Sequence, residues 1–244
     1  MSTAMITGSN RGLGFATAEA LAARGDRVLI TSRRETDAKQ AAATLTAKGH
    51  EAYGIALDVT DADSVRDAAD WVRDNFGALD ILVNNAGILP EATHGAAHEF
   101  ASVALFQETF ATNVFGAVAV TEAMLPLLRT SSAGRIVNIS STMGSLNEQL
   151  NPESPYYGMV VPAYQSSKAA LNAVTIALSK KLADTAVKVT SVCPGFVQTD
   201  LAPGNREQAP LTAGEAAVVV VRAATLPTDA ASGTFFDLDG TVAW

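Results

Sequence analysis

Tyr164-Gln165-Ser166-Ser167-Lys168 sets a phenol and an amine four residues apart. On a helix that interval brings the two side chains onto one face, one turn above the other. A free phenol loses its proton near pH ~10, and a neighbouring ammonium favours the phenolate. The pair therefore predicts a tyrosine drawn toward neutral pH and usable as an acid/base. With 4 tyrosines and 6 lysines in 244 residues, chance supplies about 0.1 such pairs, so the motif needs company. Tyr156 and Tyr157 are rivals, but each has a valine four positions on, Val160 and Val161, and neither sits on an obvious helix. They are assigned to pocket walls.

Thr7-Gly8-Ser9-Asn10-Arg11-Gly12-Leu13-Gly14 follows the first apolar run and opens a helical stretch. Gly8 can take backbone angles closed to other residues, while Gly12 and Gly14 leave room for a pyrophosphate and a neighbouring strand. The helix N-terminus would then meet the anion. A plain strand-to-helix turn could use the same glycines. Asp58-Val59 and Asn84-Asn85-Ala86-Gly87 end two further apolar runs, where such residues also make ordinary turns. Arg135 to Ser141 reads as a buried strand running into two hydroxyls, which could equally cap nothing in particular. Asn113 falls inside a long helical stretch, where asparagine is a poor helix former, and that local penalty hints at use. Cys193-Pro194-Gly195-Phe196-Val197-Gln198-Thr199 stands at a strand's carboxyl edge, where open α/β sheets bind ligands. Cys193 itself reads as a buried filler.

The elements that must position these groups follow from the alternation of short β-branched runs with longer amphipathic ones, the pattern of βαβ units. Strands are expected at 3–7, 27–32, 51–57, 81–84, 135–140, 188–193 and 234–238. Helices are expected at 13–24, 36–48, 62–76, 99–128, 163–183 and 212–225. Gly25, Gly49 and Gly77 stand where the first three helices should stop. The expected fold is α/β: a doubly wound, seven-stranded parallel sheet with helices on both faces, in one domain spanning 1–244. Ser145 to Pro162 and Ala202 to Pro210 break the rhythm and are expected to be loops near the chemistry.

The spacing TGxxxGxG, with NNAG and YxxxK behind it, resembles the short-chain dehydrogenase/reductase family over nearly the entire chain. The resemblance implies a single-domain Rossmann fold and a nicotinamide dinucleotide against Gly8, Asn10, Arg11, Gly12, Leu13 and Gly14. It implies that Asp58 and Val59 meet the adenine, that Asn84 braces the sheet, and that Asn85, Ala86 and Gly87 line the cofactor. Pro194, Gly195, Val197 and Thr199 would reach the nicotinamide side. Catalysis would rest on Ser141 bonding the substrate oxygen, Tyr164 as acid/base, Lys168 also holding the ribose, and Asn113 opening its helix to hold a water in the proton relay. Where folds selecting NAD place a carboxylate some ~20 positions past the glycines, this chain has Ser32-Arg33-Arg34. Arg33 offers a planar cation for a 2′-phosphate and Arg11 a second charge on the same side, so NADP(H) is expected; solvated surface arginines are the alternative. The interval from Ser141 to Tyr164 is longer than usual in the family. The added segment, 143–163, resembles the carbonyl-reductase branch, as does the ending Phe235 to Trp244. In that branch the addition covers a surface used elsewhere for subunit packing, which leaves monomer and homo-oligomer both open.

Composition narrows the partners. A net charge of -8 with no concentration of Lys and Arg argues against nucleic acid. No uninterrupted apolar run reaches the ~18 residues of a membrane span. One cysteine excludes an internal disulfide framework, and residues 1–12 reach a glycine turn too soon for a signal peptide, so a reducing cytoplasm is expected. His94 and His98, four apart, lack the ligand set of a metal site, and no metal is expected. Met143, Leu146, Tyr156, Tyr157, Met159, Val160, Phe196 and Leu201 suggest an apolar pocket for a small hydrophobic carbonyl or alcohol, with 200–212 as a substrate loop. The leading expectation is a carbonyl reductase. An NAD-dependent alcohol or steroid dehydrogenase is the second reading, and a non-catalytic NADP-binding sensor the third, against which the intact Tyr164 and Lys168 argue.

Overall fold

The computed structural model describes residues 1–94 and 99–244. Seven strands, β1 (Thr3–Ile6), β2 (Arg27–Ser32), β3 (Ala52–Ala56), β4 (Ile81–Asn84), β5 (Arg135–Ile139), β6 (Lys188–Val192) and β7 (Thr234–Phe236), form one sheet in the order β3-β2-β1-β4-β5-β6-β7. Every pairing is parallel. Between them run α1 (Gly12–Ala23), α2 (Glu35–Thr46), α3 (Ala62–Phe76), α4 (Glu91–His94), α5 (Val103–Phe110), α6 (Ala117–Leu128), α7 (Leu146–Gln149), α8 (Pro162–Lys181), α9 (Asn205–Gln208) and α10 (Ala213–Ala224). The expected doubly wound α/β sheet is thus the one observed.

Strand periodicity explains why these runs had to be apolar throughout. Successive side chains point to opposite faces, and both faces are covered. Ala4, Ile6, Val28, Ile30, Ile81, Val83, Val137 and Ile139 face one core, shared with residues of α1, α2 and α10. Met5, Leu29, Leu82 and Ile136 face the other, shared with residues of α3 and α6. The chain winds outward from β1 through β2 to β3, then returns to β4 and winds the other way. Between β1 and β4 the crossovers diverge, which opens a crevice at the carboxyl ends of the strands.

One buried polar ladder fixes the helix that matters most. Asn84 at the end of β4 donates to Thr121 Oγ1 at 2.9 Å and to Asn138 Oδ1 at 2.8 Å. Asn138 in turn donates to Thr175 Oγ1 of α8 at 2.8 Å, and Thr175 pairs with Ser191 Oγ of β6 at 2.8 Å. Three neighbouring strands are therefore hydrogen-bonded through their side chains to α8. Such contacts specify position more than they add stability, since each buried group would be costly left alone.

The departures from expectation have local causes. The helix expected at 99–128 begins at Val103 behind a Ser102 cap, and opens into a π-helical turn at Ala111–Gly116. As one continuous helix, Val103–Leu128 is long and apolar enough to cross a membrane by length and composition, although 56% of its most apolar stretch is buried in the fold. β7 stops at Phe236 because Asp237 Oδ1 accepts from the amides of Asp239 and Gly240, at 2.9 and 3.0 Å, and turns the chain out of the sheet. The expected loops at 145–162 and 202–210 carry the short helices α7 and α9. Of the histidine pair, His94 ends α4, and His98 lies outside the described residues.

Leu82 is fully buried in β4, immediately upstream of the strand end that carries Asn84. Leu82→Ala should lower unfolding free energy by about 2–5 kcal/mol, the range for deleting a buried leucine side chain. A urea midpoint unchanged from wild type would show that this side of the sheet is not close-packed.

Candidate active site

Tyr164 and Lys168 lie on the first two turns of α8, 6% and 4% exposed. Lys168 Nζ donates to the carbonyl of Ile139 at 2.8 Å and stands 5.4 Å from the centre of the Tyr164 ring. The sequence expectation that the ammonium draws the phenol down toward neutrality is corrected by this geometry. Burial is the largest influence on both groups. It pushes the Tyr164 phenol above its ordinary value, reinforced by Cys193, while the Ser141 hydroxyl bonded to it works in the other direction. The same burial pulls the Lys168 ammonium down to about 8. Desolvation penalises whichever form is charged, and here it is the leading cause of both shifts. At neutral pH Tyr164 is a protonated phenol, the state of a proton donor.

Ser141 follows β5 in extended conformation and accepts from the Met143 amide at 3.1 Å, leaving its hydroxyl beside Tyr164. Ser140 is spent elsewhere, donating to Asn172 Oδ1 at 2.7 Å. Asn113 sits in the π-helical turn, 1% exposed. Its Oδ1 accepts from Ile88 N at 2.9 Å, and its Nδ2 donates to Ile88 O at 3.0 Å and Ser167 Oγ at 3.1 Å. The helix opens at this asparagine as expected, but the side chain clamps a loop to α8 rather than facing the open site.

A trough of about 1820 Å³ runs across the carboxyl ends of the strands. Every residue expected to face a cofactor lines it: Gly8, Asn10, Arg11, Gly12, Leu13, Gly14, Ser32, Arg33, Asp58, Val59, Asn85, Ala86, Gly87, Pro194, Gly195, Val197 and Thr199, together with Ser141, Tyr164 and Lys168. Gly8 and Gly12 have φ of 62° and 57°, in the left-handed region, and a Cβ on Gly14 would lie 2.8 Å from the Gly8 carbonyl oxygen. The N-terminus of α1 has no side-chain cap and no acidic residue in its first turn, so its amides face the trough unanswered.

The charges in the trough are less evenly available than the sequence suggests. Arg34 pairs with Asp37 at 2.7 Å, and Arg11 pairs with Asp200 at 2.9 Å, a carboxylate that also holds Arg206. Arg11 is thus not the free second cation expected of it. Arg33 has no carboxylate partner among the described residues. Asp58 Oδ1 is engaged by the amide and hydroxyl of Thr60, at 2.9 and 2.7 Å. Asn85 turns its amide to the Thr7 carbonyl at 2.8 Å, tying the ends of β1 and β4 together.

Of the apolar residues expected around the reacting end, Met143, Tyr156, Met159, Phe196 and Leu201 line the trough. Leu146, Tyr157 and Val160 do not, and are exposed. Leu89, Ala92, Ala111, Thr112 and Val161 line it without having been anticipated, although each lies within five positions of a residue that was. Cys193, read as filler, is buried but also forms part of the wall near Tyr164 and Lys168.

The family model for short chain dehydrogenases matches residues 2–210. The chain is 37% identical to short-chain dehydrogenase anuI of Penicillium roqueforti, over 91% of this chain and 87% of that one. It is 34% identical to (+)-neomenthol dehydrogenase of Arabidopsis thaliana, over 96% and 95% of the respective chains. Among solved structures it is similar to NADPH-bound carbonyl reductase from chicken fatty liver, with a TM-score of 0.84, 27% identity, and coverage of 100% and 98%.

Burial of Lys168 makes a signed prediction. Its folded pKa of about 8 lies below the ordinary 10.5, so the unfolded chain binds more protons between those values. The penalty of burying an amine that is charged in the unfolded chain is full below pH ~8 and fades as pH rises toward ~10.5. Wild type should therefore gain up to about 3 kcal/mol on Lys168→Met across that window. Urea midpoints of both proteins at several pH values give the difference, in which contributions from other groups cancel. Parallel curves would show that the amine keeps its charge on folding.

Proposed function

We propose that this chain, which belongs to the short-chain dehydrogenase family of nicotinamide-dependent oxidoreductases, is an NADP(H)-dependent reductase of small hydrophobic ketones or aldehydes, working reversibly in a reducing cytoplasm. The observation that carries the reading is the buried Tyr164 phenol beside Ser141, in the same trough as an uncapped helix N-terminus and Arg33.

The residues fit a dinucleotide. The glycine turn leaves room for a pyrophosphate, and the first amides of α1 present unanswered donors to it. Arg33 offers its guanidinium to a 2′-phosphate, and no carboxylate ends β2 to repel one. Lys168 lies next to Gly87, whose missing Cβ would stand 3.7 Å from Nζ, so the amine is poised for ribose hydroxyls at that point. When bound, NADPH supplies a hydride from nicotinamide C4 to the substrate's carbonyl carbon.

The chain's own groups manage the oxygen. Ser141 donates a hydrogen bond to the carbonyl oxygen and orients it. Tyr164 delivers its proton there as the carbon is reduced, so ketone, hydride and proton become a secondary alcohol. The raised phenol pKa suits this direction, because the donor is fully loaded at neutral pH. Met143, Tyr156, Met159, Phe196 and Leu201 wall the reacting end with mostly apolar surface, which favours a hydrophobic substrate and excludes water.

Tyr164→Phe should hold NADPH within about twofold of wild type yet slow turnover by roughly 10²–10⁴, the range for loss of a general acid; the readouts are NADPH fluorescence and NADPH consumption over a panel of ketones and aldehydes. Undiminished turnover would remove Tyr164 from the chemistry. Arg33→Asp should shift the NADP-to-NAD preference by about 10–100-fold toward NAD, as one charge-assisted bond is lost and a repulsion added. Equal use of both cofactors by wild type would count against the role given to Arg33.

A further inference from the structure

The first turn of α8 is capped from a distance. Helix-starting amides have no partner inside their own helix, and α8 begins after Val161, which has no side-chain acceptor. Val161 N is answered by Gln165 Oε1 at 3.1 Å, and Pro162 has no N–H. The remaining two, Ala163 N and Tyr164 N, donate to the two carboxylate oxygens of Glu91 at 3.0 and 2.8 Å. One carboxylate thus closes the N-terminus of the helix, favourably placed against its dipole.

Glu91 sits in α4, at the end of the short segment that leaves β4 through Gly87, Ile88 and Leu89. That segment is tied to α8 twice. Asn113 holds Ile88 through its backbone and also bonds Ser167, while Glu91 holds the amide of Tyr164 itself. The two ties bracket the turn carrying the phenol, and the segment between them lines the trough at Gly87, Ile88 and Leu89. A cap from within α8 would have served stability equally well. A cap from this loop instead sets the height and rotation of Tyr164 against the wall of the trough.

We propose that Glu91 is a positioning residue for Tyr164, locking the first turn of α8 to the wall on which the reactants lie. The proposal rests on the reductase reading given above. Loss of the clamp lets that turn shift, and displacement of the acid by even about 1 Å carries a rate penalty of roughly 10–100-fold with little effect on dinucleotide binding.

The test uses the full chain as Glu91→Ala and Glu91→Gln, with three readouts: NADPH affinity, kcat at saturating carbonyl substrate, and hydrogen exchange of the peptide spanning 161–168. The expected result for Glu91→Ala is faster exchange in that peptide, NADPH affinity within about twofold, and kcat lower by about 10–100-fold at temperatures well below its Tm. Glu91→Gln, which keeps one acceptor and the side-chain bulk, should fall between and serves if the alanine variant does not fold. A lower Tm with kcat unchanged would reduce Glu91 to a structural cap and overturn the proposal. If wild type itself consumes no NADPH with any carbonyl compound, the reductase reading fails first, and unchanged exchange in the variants would then overturn the clamp as well.

Discussion

Desolvation of a phenol and an amine on the opening turns of one helix is the constraint around which the molecule is organised. Neither group reaches water freely, so neither carries charge cheaply, and the fold must hold both where a ligand can make use of them. Lys168 is answered by a main-chain carbonyl at the end of β5, and Tyr164 by the Ser141 hydroxyl two residues beyond it. Helix and strand end are thus mutually dependent: neither side of the site is arranged without the other.

The sheet supplies the rigidity this requires. Each strand alternates its apolar side chains between two covered faces, so a slip of one residue would exchange the two sets and unmake the packing of both cores. On top of that register sits the Asn84–Asn138–Thr175–Ser191 ladder, which carries the position of three strands into α8. Asn84 Oδ1 has no protein partner among the described residues. Both hydrogens of the Asn84 amide are committed to fixing the geometry.

The fold and most of the trough were legible in the sequence because their signals are local. Runs such as Ile81–Asn84 and Arg135–Ile139 announce buried strands by composition, and Gly8, Gly12 and Gly14 announce a turn by backbone geometry. Tyr164 and Lys168 share a face by helical arithmetic alone. What could not be read is what depends on long-range partners. Glu91 reaches the amide of a residue 73 positions on, and Arg11 is claimed by Asp200 at 189 positions' separation. The sense of the Tyr164 shift was misjudged for a related reason: spacing shows that an amine is near, but not that both partners are buried.

That last point bears on how the charges of the trough are divided. The chain is acidic overall, and two of the three arginines at the dinucleotide end are already paired with aspartates. Both are exposed pairs of a kind that contributes at most about 1 kcal/mol, so neither arginine is withheld from an anion that approaches it. The first amides of α1 and the guanidinium of Arg33 have no such partner among the described residues. An anion entering the trough therefore meets main-chain dipoles together with a guanidinium that has no carboxylate partner among the described residues. Arg11 is joined through Asp200 to Arg206, which ties the start of α1 to the 200–212 segment.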